Sequence, residues 1–285
     1  MGGPLLWPAG EAWPVCGSPV PHDAAIGSVA GVRRERLLVA RRDLGRAEGR
    51  QSAEVEAELK ELWLAQRAAG AVRRDPEAPQ ALIGVAQLYA RDVPDLRRPE
   101  GTDLLQMLWC PYEHADAEHL PAVRLVWRDS AAVTETVPDP SPGVGVQEGG
   151  FVPEVCSVFP ETVVEYPPEP LIGLDLPADF DDPDEPWAIA DGWKAGGWGG
   201  YCGVTDPVIP ECACGARTEP LLTVGNGEWS NDYPWWKPLE EAGWRKTPEH
   251  PTSWDPVCTA IGRGYIMQIF QCAKGFDCPP TVAMT

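Results

Sequence analysis

The sequence predicts an α+β chain made of two degenerate copies of one β-rich unit, the first carrying an inserted helical segment. Three observations lead there. Strand-length apolar runs bounded by Pro, Gly and Asp recur along most of the 285 residues, one stretch (Arg33 to Arg74) is instead rich in Arg and Glu and poor in Pro, and one order of motifs occurs twice. The length is enough to bury a substantial core.

Within the Arg/Glu-rich stretch, Val55, Leu59, Leu62 and Trp63 fall at i, i+4, i+7 and i+8, so a helix is predicted from about Ser52 to Ala69. Ser52 suits its N-cap, Gly70 its C-terminal stop, and Glu56 and Lys60 form an i,i+4 pair on its outer face. The strand candidates are Leu82–Tyr89, Leu104–Trp109, Val123–Trp127, Leu221–Val224 and Tyr265–Phe270. Residues 136–150 and 166–186 are rich in Pro, Gly and Asp and read as irregular. The acidic run Asp179, Asp181, Asp182, Asp184 and Glu185 lacks the alternating ligands and central Gly of a calcium loop, and reads as a solvated loop.

The repeat appears on comparing the two ends. Gly2-Gly3-Pro4-Leu5-Leu6-Trp7 is followed by Pro14-Val15-Cys16-Gly17, an apolar run, and Leu104-Leu105-Gln106-Met107-Leu108-Trp109-Cys110. Gly196-Gly197-Trp198 is followed by Pro210-Glu211-Cys212-Ala213-Cys214-Gly215, an apolar run, and Ile266-Met267-Gln268-Ile269-Phe270-Gln271-Cys272. The expected organisation is a first pseudo-repeat over 1–135 with a helical insertion near 33–74, a Pro/Asp-rich connection over 136–190, and a second pseudo-repeat over 191–285.

At these residues the chain resembles the YwqG-like family, a bacterial domain of unknown function. The matching residues are Gly2-Gly3-Pro4, Gln87 through Asp92-Val93-Pro94, Gly101 through Pro111, Lys194 through Trp198, and Cys212-Ala213-Cys214-Gly215. Cys-x-Cys stands where that family more often has Cys-Pro-x-Cys. The resemblance covers the chain outside roughly residues 30–75. It implies an α+β fold of mainly antiparallel β structure arranged as a pseudo-duplication, and it supplies no activity.

The repeat also sorts the nine cysteines and four histidines. The second copy offers Cys212 and Cys214 on one turn, with Cys272 and Cys278 after its last strand. The first offers Cys16 and His22, with Cys110 and His114. If the copies fold alike, each pair of segments meets and four soft ligands converge. Zinc is the metal for such S₄ or S₂N₂ sets, and a four-ligand site with no open position is structural. His119, His250, Cys156, Cys202 and Cys258 have no partner spacing and read as core or surface residues.

The formal net charge is −20, with 14 basic and 14 acidic residues in 1–100 and 9 basic against 29 acidic in 101–285. That balance argues against a nucleic-acid binder, and no apolar run reaches a membrane-spanning length. With no export signal visible, the chain is expected to be cytoplasmic, with reduced cysteines. No Gly-x-Ser-x-Gly elbow, no P-loop and no carboxylate pair stands out, so no catalytic residue is assigned. Trp229, Trp235, Trp236, Trp244 and Trp254 read as the core of the second copy; exposed, they would form a sugar-stacking platform or a protein-binding hot spot. The expected function is a non-catalytic, zinc-stabilised interaction protein whose acidic part binds a basic partner protein, as immunity- or inhibitor-type proteins do. A zinc-dependent hydrolase and a carbohydrate-binding module are the alternatives.

Overall fold

A computed structural model describes residues 1–19, 22, 25–70, 78–165, 189–199, 209–229, 237–243, 245–247, 254–262 and 265–284. In chain order the elements are β1 (Gly27–Ser28), α1 (Val29–Ala47), α2 (Ala53–Gly70), β2 (Ile83–Tyr89), β3 (Leu104–Trp109), β4 (Val123–Arg128), β5 (Gly145–Val146), β6 (Lys194–Ala195), β7 (Thr218–Val224), β8 (Met267–Cys272) and β9 (Thr281–Met284). The fold is α+β. Strands β2-β3-β4 form one antiparallel sheet, β6-β7-β8-β9 a second, and β1 pairs with β5. No helix among the described residues is long and apolar enough to cross a membrane.

Strands β3 and β8 are buried along their whole length, which is why both read as near-continuous apolar runs. β3 carries the buried Gln106 and β8 carries Gln268 and Gln271, and a buried amide must find partners. Gln106 Nε2 donates to the Leu6 carbonyl at 2.8 Å and to Gln87 Oε1 at 2.9 Å, and its Oε1 accepts from Arg128 Nε at 2.7 Å. The Leu6 N–H in turn donates to Gln87 Oε1 at 2.7 Å, so the side chains of β2 and β3 grip the N-terminal segment. In the second sheet Gln268 Nε2 donates, at a looser 3.4 Å, to the Gly197 carbonyl and to Thr223 Oγ1. Both glycine-rich segments therefore lie against a strand glutamine. Gly2 has φ +61°, and a Cβ there would stand 2.3 Å from the Glu154 carbonyl oxygen, so no other residue fits.

The two sheets share one apolar cluster. Ile83, Val85, Met107 and Trp109 meet Leu221, Val224, Met267 and Ile269, with Val29 and Val32 of α1 alongside. The Pro/Gly-rich stretch after residue 136 does form irregular turns and the short strand β5. It is nevertheless part of the core, because Val144, Val146, Phe151 and Val152 are buried within that cluster.

Helix α2 spans Ala53–Gly70, one residue from the predicted bounds, with Ser52 Oγ accepting from the Val55 N–H at 3.3 Å. One expectation for it is corrected. Glu56 pairs with Arg46 of α1 at 2.6 Å, not with Lys60, because the end of α1 lies beside the start of α2. Leu59 is buried, but Trp63 is 43% exposed, with its indole N–H donating to Glu35 Oε1 at 2.7 Å. Among the described elements, α2 packs mainly against α1 and also touches β1.

The contrast between Gln106 and Gln268 yields a prediction. Replacing Gln106 by Leu strips partners from the half-buried Leu6 carbonyl, Gln87 and Arg128 and should cost about 2–3 kcal/mol in urea unfolding, whereas Gln268→Leu should cost about 1 kcal/mol. Equal losses would contradict the assigned role of the Gln106 network.

Candidate metal centres

Cys16, His22, Cys110 and His114 form one group whose ligand atoms all lie within 4.8 Å of one another, and Cys212, Cys214, Cys272 and Cys278 form another. These are the two sets of four that the repeated motif order predicted.

In the first group, Cys16 is placed by antiparallel pairing of residues 14–16 with 80–82, its N–H donating to the Gln80 carbonyl at 2.7 Å just before β2. Cys110 directly follows β3, and His114 sits at the mouth of a tight turn in which the Ala117 and His119 N–H groups donate to its carbonyl at 2.9 and 3.0 Å. Cys16 Sγ is 3.7 Å from His114 Nε2, and Cys110 Sγ is 3.3 Å from His22 Nε2. In the second group, Cys212 and Cys214 lie on a hairpin turn closed by Gly215 at φ +75°, where the Cys212 N–H donates to the Ala216 carbonyl at 2.9 Å. Cys272 ends β8, and the loop from it to Cys278 is held by Gln271 Nε2, which donates to the Gly275 and Cys278 carbonyls at 2.9 and 3.1 Å. Cys214 Sγ stands 3.5 Å from Cys212 Sγ and 3.7 Å from Cys272 Sγ.

One local device recurs in both groups. Cys16, Cys110, Cys214 and Cys272 each accept a backbone N–H from the residue two positions on: Ser18, Tyr112, Ala216 and Lys274 respectively. An N–H aimed at sulfur favours the thiolate, the form that binds metal. Cys16-Gly17 and Cys214-Gly215 match in this respect, which aligns Cys214, rather than Cys212, with Cys16.

The donor sets fit a metal ion. A tetrahedral ion with bonds of about 2.3 Å to sulfur and 2.0 Å to nitrogen spaces its ligands at about 3.3–3.8 Å, close to the separations here and far longer than a disulfide. The cysteines of both groups are free. His114 is only 1% exposed; its Nε2 faces Cys16 Sγ, while its Nδ1 has no hydrogen-bond partner among the described residues, which leaves one polar atom of a buried imidazole unsatisfied.

The electrostatics point the same way. The hydrogen bond from the Cys110 thiol, with His114 alongside, holds Cys16 far below the ordinary thiol range, while the same contact and burial push Cys110 up. In the second group the Ala216 N–H and neighbouring thiols lower Cys214 to about 7, and Cys278 is pushed up to about 12 by Cys212 and Cys214. Crowded thiols ionise one at a time unless a cation joins them.

The remaining candidates fall elsewhere. His119 is exposed beside Glu113, its Nδ1 3.2 Å from Oε2. Cys156 and Cys258 line an open cavity of about 1090 Å³ between the N-terminal segment, α1 and residues 154–159 and 255–258, which none of the eight clustered residues lines. Its walls come from several distant segments, and no local pattern in the sequence marks it. Arg33 and Arg36 also line it, but they donate to the carbonyls of Gly2, Pro153, Val152 and Gly149. Trp229 is half-buried under Lys237, whose Nζ is 4.5 Å from the ring centroid, and Trp254 is exposed. Trp235, Trp236, Trp244, Cys202 and His250 lie outside the described residues, as does the acidic run at 179–185. Comparison with protein-family models, with curated proteins and with solved structures returns no match.

Beside Trp193, burial pushes Glu228 up to about 7, against the opposing hydrogen bond from the Trp193 N–H, and burial likewise raises Asp255 to about 6. The folded protein thus holds protons that the unfolded chain has already lost. Their stabilisation is complete below the ordinary carboxylate range and disappears as pH rises through these values. The stability difference between the wild type and Glu228→Gln should shift against the wild type by on the order of 2 kcal/mol from about pH 5 to about pH 7.5. A pH-independent difference in unfolding free energy would contradict the buried protonated carboxyl.

Proposed function

We propose that each cluster holds one zinc ion, that both ions are structural, and that the chain is a binding protein rather than an enzyme. The observation that carries this reading is the convergence of two complete four-ligand sets, each from residues on both sides of a strand pair. All-sulfur and mixed sulfur–imidazole sets suit zinc above calcium or magnesium, which take oxygen. Four protein ligands leave no position for a substrate, so zinc here would supply cross-links between irregular segments rather than Lewis-acid chemistry. Among the described residues the apolar cluster around the second set has just Cys212, Ala216 and Cys272 buried, with Cys278 packed against them, a small apolar area for ordering the turns unaided.

The partner we infer is a basic protein, drawn by the acidic excess of residues 101–285, which hold 29 acidic and 9 basic side chains. Complementary charge of this kind accelerates association and selects partners. On motif order, and on the matching N–H···S turns at Cys16 and Cys214, we read the chain as a pseudo-duplicated relative of the YwqG-like family. A reducing compartment such as the cytoplasm suits its free thiols.

Native mass spectrometry of the purified chain should show two zinc ions, and Cys272→Ser should lower the count to one. An unchanged count would contradict the second site. A partner recovered with the full chain should elute as salt is raised from about 0.1 M to about 0.5 M, where the Debye length shrinks below 5 Å. Salt-insensitive binding would contradict the electrostatic reading.

A further inference from the structure

The two clusters differ in what they offer to oxidants. Each buries two ligands, Cys110 and His114 in the first and Cys212 and Cys272 in the second, but the first contains two imidazoles and its other two ligands are only partly exposed. The second is sulfur alone, and its Cys214 is exposed to solvent, with Cys212 at 3.5 Å and Cys272 at 3.7 Å. Thiolate character together with exposure governs thiol oxidation, and a neighbouring thiol decides whether the product is reversible.

We infer that the second cluster is a site of reversible oxidation by hydroperoxides, at which a disulfide formed from Cys214 releases the metal. The inference rests on the reading that this cluster holds zinc. The Cys214 thiolate attacks the terminal oxygen of the hydroperoxide; the O–O bond breaks, and the departing alkoxide (hydroxide, for hydrogen peroxide) takes a proton. The thiolate of Cys212 or Cys272 then attacks the sulfenic sulfur; the S–S bond forms and hydroxide leaves, protonated, as water. Two thiolates, two protons and one hydroperoxide become a disulfide, an alcohol or water, and a further water, with two electrons passing from sulfur to oxygen. Two of the four ligands are then lost, and the ion with them.

The fold gives this step a consequence at a distance. The Cys272–Cys278 loop carries Phe276, which packs edge-on against Trp127 of β4 at 5.4 Å and under the Arg97 guanidinium at 5.2 Å. Arg97 also pairs with Glu219 of β7 at 2.6 Å and donates to the Cys272 carbonyl. Metal at the second cluster therefore fixes a contact between the two sheets, and its release frees that contact.

The test treats the full zinc-loaded chain with about a tenfold excess of hydrogen peroxide in the presence of a chromogenic zinc chelator. One of the two zinc ions per chain should be released, peptide mapping should show a disulfide containing Cys214, and dithiothreitol with added zinc should restore the count. Release of neither ion, release of both, or a disulfide that omits Cys214 would overturn the inference while leaving the zinc reading intact. A metal count unchanged by Cys272→Ser would overturn both.

Discussion

Each of the two fully buried strands runs directly into a cysteine, Cys110 after β3 and Cys272 at the end of β8, and around each sulfur three more soft donors converge. This convergence is the constraint on which the remaining structure depends. It ties the end of a central strand to the turn that precedes its neighbour, Cys16 before β2 and Cys212–Cys214 before β7. On the proposed account a metal ion joins each set, and the N–H groups two residues beyond four of the cysteines prepare their sulfurs for it.

The sheets answer to the same geometry from the inside. Gln106 anchors the Gly2–Leu6 segment through short bonds, whereas Gln268 holds Gly197 through longer ones. Two of the six arginines of α1, Arg33 and Arg36, serve backbone carbonyls of the 149–153 turn or of Gly2, while Arg34 and Arg46 pair with Glu58 and Glu56 of α2 at the surface. Among the described carboxylates after residue 100, Glu165 is used internally, pairing with buried Lys194, and Glu154 and Glu219 pair with Arg36 and Arg97; the remaining acidic excess is what the proposed partner would meet.

How much of this was legible in the sequence depended on whether the signal was local. The strands from Ile83, Leu104 and Val123 were readable because short apolar runs ended at Pro, Gly or Asp, and helix α2 because its apolar spacing repeats at helical period. The two ligand sets were readable through a longer-range regularity, the order of motifs, which grouped His22 with Cys110 and Cys278 with Cys272 before any contact was known. Contacts between elements were not readable: Glu56 met Arg46 instead of Lys60, and Trp63 stayed at the surface, because helix packing and not helix periodicity decides both. Val144, Val146 and Phe151 entered the core from a stretch whose Pro and Gly content marks its backbone conformation but not its burial. The cavity beside α1 and the raised Glu228 carboxyl arise from several distant segments and leave no local trace.

The account's central claim is that each four-donor set is a zinc site. Anomalous diffraction from a crystal of the reduced chain, measured just above and just below the zinc edge, tests it most directly. The account predicts two peaks present only above the edge, one among Cys16, His22, Cys110 and His114 and one among Cys212, Cys214, Cys272 and Cys278. Sulfurs without a peak between them, or drawn together into disulfides at about 2.05 Å, would contradict it.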